Sequence, residues 1–311
     1  MLIEKHISWL VINNVVGCPH NCSYCFLGEN VGIKPIRVAT GQESIADLVC
    51  HPEYKEDIPV AVMINTDPFA TLDNCMDAID VLSVACTHKL KNLFVLVTKR
   101  AIPDKIITHL KLIMEMGLKL AIYVSYSGLP EEMEKGTRDK DGKPQVLETM
   151  KLLKQHNIPC VHYWRPLIPQ NSNLEVLTEV YNNVKDYCVG SVMTGLKLYP
   201  QMESEYWPEA KIEYNKNPKI ECIFPKGVFN RLKTIIGDYP VFVDNFCMLS
   251  LLQGKGCDYG IYNTERCKYY NNCPYKKLKN NPCSLITQEQ KKTCKEGYWG
   301  NSSSCIGWKE I

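Results

Sequence analysis

Short, almost wholly apolar runs recur along the first two thirds of the chain: Val60–Ile64, Leu93–Val97, Leu118–Val124, Ile158–Trp164 and Val192–Tyr199, after a first run within Ile7–Val16. Strands covered on both faces read this way, with no polar alternation. Helical patterns lie between the runs. Pro103 opens one in which Ile106, Leu110 and Ile113 share a face, with Gly117 just beyond it. Pro144 opens a second, with Val146, Met150 and Leu153 inward. Ser172 or Asn173 caps a third, with Leu174, Leu177, Tyr181 and Val184 inward. Strand and helix alternating in this way predict an α/β fold, a parallel sheet with right-handed crossovers that is closed or partly closed into a barrel. The alternation weakens after Tyr199. Residues 201–225 read as an irregular excursion, followed by a last helix (Val228–Ile236) and strand (Val241–Val243). A barrel domain over residues 1–245 and a cysteine-rich module over 246–311 is the expected organisation.

Polar residues collect where the apolar runs stop. Asn65, Thr66 and Asp67 end the second run, Thr98 and Lys99 the third, Ser125 and Ser127 the fourth, Arg165 the fifth and Tyr199 the sixth. The C-terminal strand ends of a parallel barrel form one rim, and active sites of such barrels sit there. Taken singly, each of these residues also has an ordinary reading, because a strand leaving the core has polar residues at its exit.

The 311 residues carry 45% hydrophobic and 23% charged residues, an ordinary globular composition. A net charge of +2 selects no class of partner. From Lys255 onward ten basic residues face five acidic ones, which fits either an anionic partner or a solvated surface. The first apolar run is broken by Asn13 and Asn14 and is too short for a secretory signal or a membrane span. A cytoplasmic protein with no membrane association is expected. In that reducing compartment the 16 cysteines serve as metal ligands, reactive thiols or small buried hydrophobes, not disulfides.

Three of those cysteines are tightly spaced: Cys18-Pro19-His20-Asn21-Cys22-Ser23-Tyr24-Cys25, a C-x3-C-x2-C loop just after the first apolar run. Three thiolates can hold three irons of a 4Fe-4S cube and leave the fourth iron open. A structural zinc site is the alternative, although zinc wants four ligands and His20 is the nearest extra donor. The octet closely resembles the signature of the radical SAM superfamily. That resemblance implies a partial (β/α)6 TIM-type barrel in which S-adenosylmethionine (SAM) binds the open iron. One-electron reduction then cleaves SAM to a 5′-deoxyadenosyl radical that takes a hydrogen from the substrate. It also implies an external electron donor of ferredoxin or flavodoxin type, and Tyr24 in contact with the adenine.

Further segments sharpen the resemblance: Gly32-Ile33-Lys34, Asn65-Thr66-Asp67-Pro68-Phe69, Val97-Thr98-Lys99-Arg100, Val124-Ser125 with Glu134, and Arg165-Pro166-Leu167-Ile168-Pro169. In order and spacing they are similar to the spore-photoproduct-lyase-like ("DNA repair photolyase") branch. The similarity implies that Asn65, Thr66 and Asp67 meet the methionine amino group of SAM, that Thr98, Lys99 and Ser125 lie near its carboxylate or ribose, and that Arg165 lies near SAM or substrate. Two departures stand out. Ile64-Asn65-Thr66 occupies the place where the lyase pattern has a hydrogen-donating cysteine, and Arg100 and Asp104 are not adjacent. Thymine-dimer repair is therefore not expected.

The tail carries Cys257, Cys267, Cys273 and Cys283 among its regularly spaced cysteines. A second iron-sulfur cluster, a structural zinc and free thiols are all open for them. Of the other cysteines, Cys160 and Cys222 are the candidate hydrogen donors. His162, within an apolar run, reads as a satisfied core residue. A peptide or small molecule is favoured as substrate over a nucleic acid lesion. The rival from another class is a non-catalytic, metal-stabilised protein binding nucleic acid through its basic tail.

Overall fold

The computed structural model describes residues 2–6, 8–20, 22–25, 32, 34–134, 137–198, 221–242, 245–254 and 309–310; the side chains of 197–198, 221–223 and 309–310 are not included. The chain divides into two compact units, residues 1–163 with 183–189, and residues 164–182 with 190–311. The first boundary of this division falls inside a strand, between Tyr163 and Trp164.

In chain order the first unit contains β1 (Ile3–Lys5), β2 (Leu10–Ile12), β3 (Val15–Val16), β4 (Ile36–Arg37), α1 (Gly41–Cys50), β5 (Val60–Val62), α2 (Leu72–Thr87), β6 (Leu93–Thr98), α3 (Asp104–Glu115), β7 (Lys119–Ser125), α4 (Val146–Gln155) and the first half of β8 (Cys160–Leu167). Its main sheet runs β1-β2-β5-β6-β7-β8. From β2 to β8 every neighbour is parallel, and only β1 runs against its partner. One register row crosses Ile12, Val62, Leu96, Ile122 and Cys160.

The strands are apolar because both faces are covered. Leu10–Ile12 and Val60–Val62 are wholly buried, as are Phe94, Val95 and Leu96. Helices α3 and α4 turn Ile106, Leu110, Ile113 and Val146, Met150, Leu153 inward, as their spacing predicts. Burying each such side chain contributes about 1.5–3 kcal/mol. Helix α1, not anticipated from periodicity, has a capping box. The Thr40 hydroxyl accepts from the Glu43 N–H (3.2 Å) and the Glu43 carboxylate accepts from the Thr40 N–H (2.8 Å). Losing that cap costs about 1 kcal/mol. Helix α2 starts at Thr71, whose hydroxyl accepts from the Asn74 N–H.

The second unit holds the end of β8, most of α5 (Leu174–Val184), then β9 (Ser191–Leu198), β10 (Glu221–Phe224), α6 (Val228–Lys233), β11 (Val241–Phe242), α7 (Asn245–Gln253) and β12 (Lys309–Glu310). Strand β10 is antiparallel to β9, so part of the stretch read as irregular is sheet; β11 lies parallel to β9. Asn173 caps α5 through the Val176 N–H (2.9 Å). Leu177 and Val184 are buried, but Leu174 is 48% exposed because it sits in the first turn, and Val180 takes its inward place. Among the described residues no helix is long and apolar enough to cross a membrane.

Candidate active site

The first apolar run is not one strand. Asn13 and Asn14, both fully buried, interrupt it: the Asn13 N–H bonds Leu2 O, and Asn14 O accepts from the Val38 and Ala39 N–H groups. The chain then re-forms as β3, paired with β4. Arg37 at the end of β4 ties this hairpin to α2 through Asp77 (3.1 Å) and Asp80 (2.9 Å). Gly17 follows at φ +99°, where a Cβ would lie 2.2 Å from Lys34 O. Only glycine fits there. The Cys18 N–H bonds Gly32 O, and a turn closes from the Cys25 N–H to Cys22 O.

Cys22 is buried, and Cys18 and Cys25 are partly so. Burial pushes the Cys18 thiol up to about 12, against a hydrogen bond from the His20 backbone N–H; Asp67, Cys25 and Cys22 raise it further. Burial likewise pushes Cys22 up to about 11, with Lys99 pulling the other way. In these surroundings Cys18 and Cys22 become thiolates only if a cation compensates them. The three sulfurs do not converge on one point: among the described residues no three Cys, His, Asp or Glu side chains are grouped as around a single ion. A 4Fe-4S cube asks for one thiolate on each of three irons, a donor set that this loop supplies.

Met63 follows strand β5, buried and at φ 61°. A long side chain rarely takes this left-handed conformation, and such strain collects at functional sites. The Met63 N–H bonds Ile12 O (2.7 Å), and the turn beyond it carries Asn65, Thr66 and Asp67. Asp67 is buried, and its carboxylate is gripped from several sides. Oδ1 accepts from the Phe69 N–H (2.9 Å) and the Thr98 hydroxyl (2.8 Å), and Oδ2 accepts from the Lys99 N–H (2.8 Å). His20 Nε2 stands 3.6 Å from Oδ2, an electrostatic contact beyond hydrogen-bond length. Burial alone would raise this carboxyl, but His20 and the two backbone N–H groups outweigh it and hold Asp67 below the ordinary carboxylate range. Thr66 accepts from Asn74, while half-buried Asn65 turns to Glu4.

A second buried network starts at Tyr24, two residues after Cys22. Its hydroxyl donates to Glu134 Oε1 and accepts from Lys99 Nζ. Lys99 also reaches Glu134 directly (2.7 Å), and the Ser127 hydroxyl holds the other carboxylate oxygen (2.5 Å). Cysteine loop, β6 and the segment after β7 are thereby joined. Closed polar networks of this kind are favourable only when every member is satisfied.

Of the residues expected at the rim, the structure brings together Cys18, Cys22, Cys25, Tyr24, Thr66, Asp67, Thr98 and Lys99. Ser125 ends β7, buried and paired with Tyr163. Arg165 belongs to the second unit. Cys160 opens β8, three residues before Tyr163, and its sulfur meets Cys188 at 3.5 Å. His162 is buried, its Nε2 2.8 Å from Tyr126 O, and burial brings its pKa down to about 4. Tyr199, the Cys222 side chain, and Cys257, Cys267, Cys273 and Cys283 lie outside the described residues. Ser127, expected at the rim, joins the assembled rim residues through Glu134, whereas His20, Asn74 and Glu134 are members that the rim pattern alone does not single out. For Glu134 the signal is the resemblance that pairs it with Val124-Ser125, and for His20 its place inside the spacer.

No protein-family model and no functionally curated protein matches the chain. Solved structures do share its fold. A radical SAM methyltransferase from Sphaerobacter thermophilus superposes at a TM-score of 0.50 with 12% identity, over 77% of this chain and 67% of that one. TsrM from Kitasatospora setae, a radical SAM methyltransferase solved with tryptophan substrate and a SAM analogue, superposes at 0.53 with 10% identity, over 75% of this chain and 54% of that one. The chain thus spans about half of the TsrM structure. The spore-photoproduct-lyase branch finds no support in these comparisons.

Proposed function

We propose that the chain is a radical SAM enzyme. Its Cys18, Cys22 and Cys25 would hold a 4Fe-4S cluster, and the buried Tyr24–Lys99–Glu134 rim beside them would receive SAM. The observation that carries this reading is the meeting of three thiols with that buried charged network at the ends of parallel strands, in a fold shared with radical SAM methyltransferases. When bound, the cluster supplies the electron that cleaves SAM to methionine and a 5′-deoxyadenosyl radical for hydrogen abstraction.

The chain's own residues do the rest. Lys99, held by Glu134 and Tyr24, would present a fixed cation for the SAM carboxylate, and Tyr24 would contact the adenine. Asn65 and Thr66 serve the methionine amino group, and Thr98 and Ser125 flank the carboxylate or ribose. Arg165 serves SAM or substrate. The aza-SAM and tryptophan in the TsrM structure support a SAM site and a substrate of amino-acid size in this fold. A peptide or small molecule is accordingly the proposed substrate, with reduction by a ferredoxin- or flavodoxin-type donor and a partial TIM-type barrel as the setting. Four tail cysteines, Cys257, Cys267, Cys273 and Cys283, are proposed to hold an auxiliary cluster.

Anaerobically reconstituted protein given dithionite and SAM should release methionine and 5′-deoxyadenosine. Protein that binds only zinc and forms no 5′-deoxyadenosine would sink this reading. For the tail, the variant with Cys18, Cys22 and Cys25 all changed to Ala should retain about four irons per chain; zinc or no metal would refute the auxiliary cluster.

A further inference from the structure

We infer that His20 and Asp67 form a positioning pair that seats the cysteine loop on the ends of β5 and β6, and that Asp67 is not a ligand of the SAM amino group. This rests on the cluster reading above and assigns a different task to one of its rim residues. A carboxylate has about four acceptor positions. In Asp67 three are filled by the Phe69 N–H, the Thr98 hydroxyl and the Lys99 N–H, and the remaining side of Oδ2 faces His20. An incoming ammonium would have to displace one of them. The carboxylate is therefore fixed to the two strand ends, and what it has left to hold is the imidazole.

His20 is placed to transmit that hold. It is the middle residue of the three between Cys18 and Cys22, so its backbone moves with both sulfurs. Its backbone N–H bonds the Cys18 sulfur, while its side chain, 8% exposed, buries Nε2 with no hydrogen-bond partner and Asp67 as its ionic neighbour. A buried polar atom without a hydrogen-bond partner costs free energy, and the charge it faces here is the Asp67 carboxylate. One residue thus touches a cluster-binding sulfur with its backbone and the sheet's rim with its ring. Groups that orient metal ligands in this manner typically change metal affinity 10- to 100-fold when removed.

The test compares full-length wild type with His20→Ala, His20→Gln, Asp67→Asn and the double variant His20→Ala/Asp67→Asn. After anaerobic reconstitution, iron release to a ferrous chelator is timed without SAM, and SAM affinity is measured on the loaded fraction. His20→Ala and Asp67→Asn should each release iron about tenfold faster. The double variant should be no faster than the faster single, because both break one contact. His20→Gln, which keeps a donor within reach of Asp67, should recover most of the retention, and SAM affinity should stay within about twofold throughout. In the metal-free protein, amide exchange over residues 17–25 should quicken in His20→Ala and Asp67→Asn alike. Wild-type release and exchange in His20→Ala, additivity in the double variant, or lost SAM affinity in Asp67→Asn with normal iron retention would each overturn the pair. Failure of the wild type to take up iron and sulfide would refute the cluster reading instead, and the exchange measurement would still decide whether the contact holds the loop.

Discussion

Two groups of buried thiols lie in the first unit, and burial raises thiol pKa values in both. Around Cys18 and Cys22 stand Asp67, Lys99, Glu134 and His20. Cys160, by contrast, is 1% exposed, and the influences on its thiol are burial and Cys188. Burial therefore does not distinguish a site from core filler. What distinguishes it is charge kept inside the fold, where each unpaired ion would cost several kcal/mol and each paired one must be held in position.

The widest gap between the two groups should appear when each is removed. Cys18→Ala, Cys22→Ala and Cys25→Ala should each bring 5′-deoxyadenosine formation to background, because the cube loses one of three thiolates. Cys160→Ala/Cys188→Ala should keep it. The opposite pattern would reverse their roles.

Acid should reach the quiet group first. His162, two residues after Cys160, titrates at about 4 when folded and near 6.5 when unfolded, so the unfolded chain binds more protons between those values. The resulting stabilisation, about 3 kcal/mol, is fully present above pH 6.5 and is lost as pH falls toward 4. Asp67, depressed in the folded state, adds a loss in the same direction at lower pH. Urea midpoints of the metal-free protein across this range should show the decline, and His162→Gln should flatten its upper part.

At the charged group, Lys99→Met should weaken SAM binding about 10- to 100-fold, the worth of a hydrogen bond to a charged partner. Iron content should remain that of wild type. Calorimetry on the loaded protein separates the two quantities, and an unchanged affinity would assign Lys99 to folding. The smallest effect belongs to Cys160→Ala alone: about 1 kcal/mol of stability for the lost buried sulfur, with SAM cleavage and turnover intact. Lost turnover at unchanged stability would support Cys160 as a hydrogen donor.

Much of the first unit was legible because its strands and helices carry different periods. Val60–Val62, Leu93–Thr98 and Lys119–Ser125 fall on predicted runs, and the buried faces of α3 and α4 were read from spacing alone. Helices α1 and α2 lie outside the predicted helices although Thr40 and Glu43 spell a capping box, because a cap sits at a terminus and leaves no mark on apolar spacing. The first strand is shorter than its apolar run, since Asn13 and Asn14 interrupt it with backbone bonding that no period records. At the rim, residue types marked the strand ends but not their partners. That Asp67 grips Thr98 and Lys99, or that Tyr24 meets Glu134 across 110 residues, depends on which strands are neighbours.

Gly17 shows how such contacts would look to genetics. Any Cβ at that position strikes the Lys34 carbonyl, and the backbone there is left-handed. A saturation library scored for activity should therefore find position 17 as intolerant as the three cysteines, with every missense codon depleted. An intolerance map alone would count it among the chemical residues. Expression level would tell them apart: cysteine variants should accumulate as folded, metal-free protein, whereas Gly17 variants should already be scarce before any assay of chemistry.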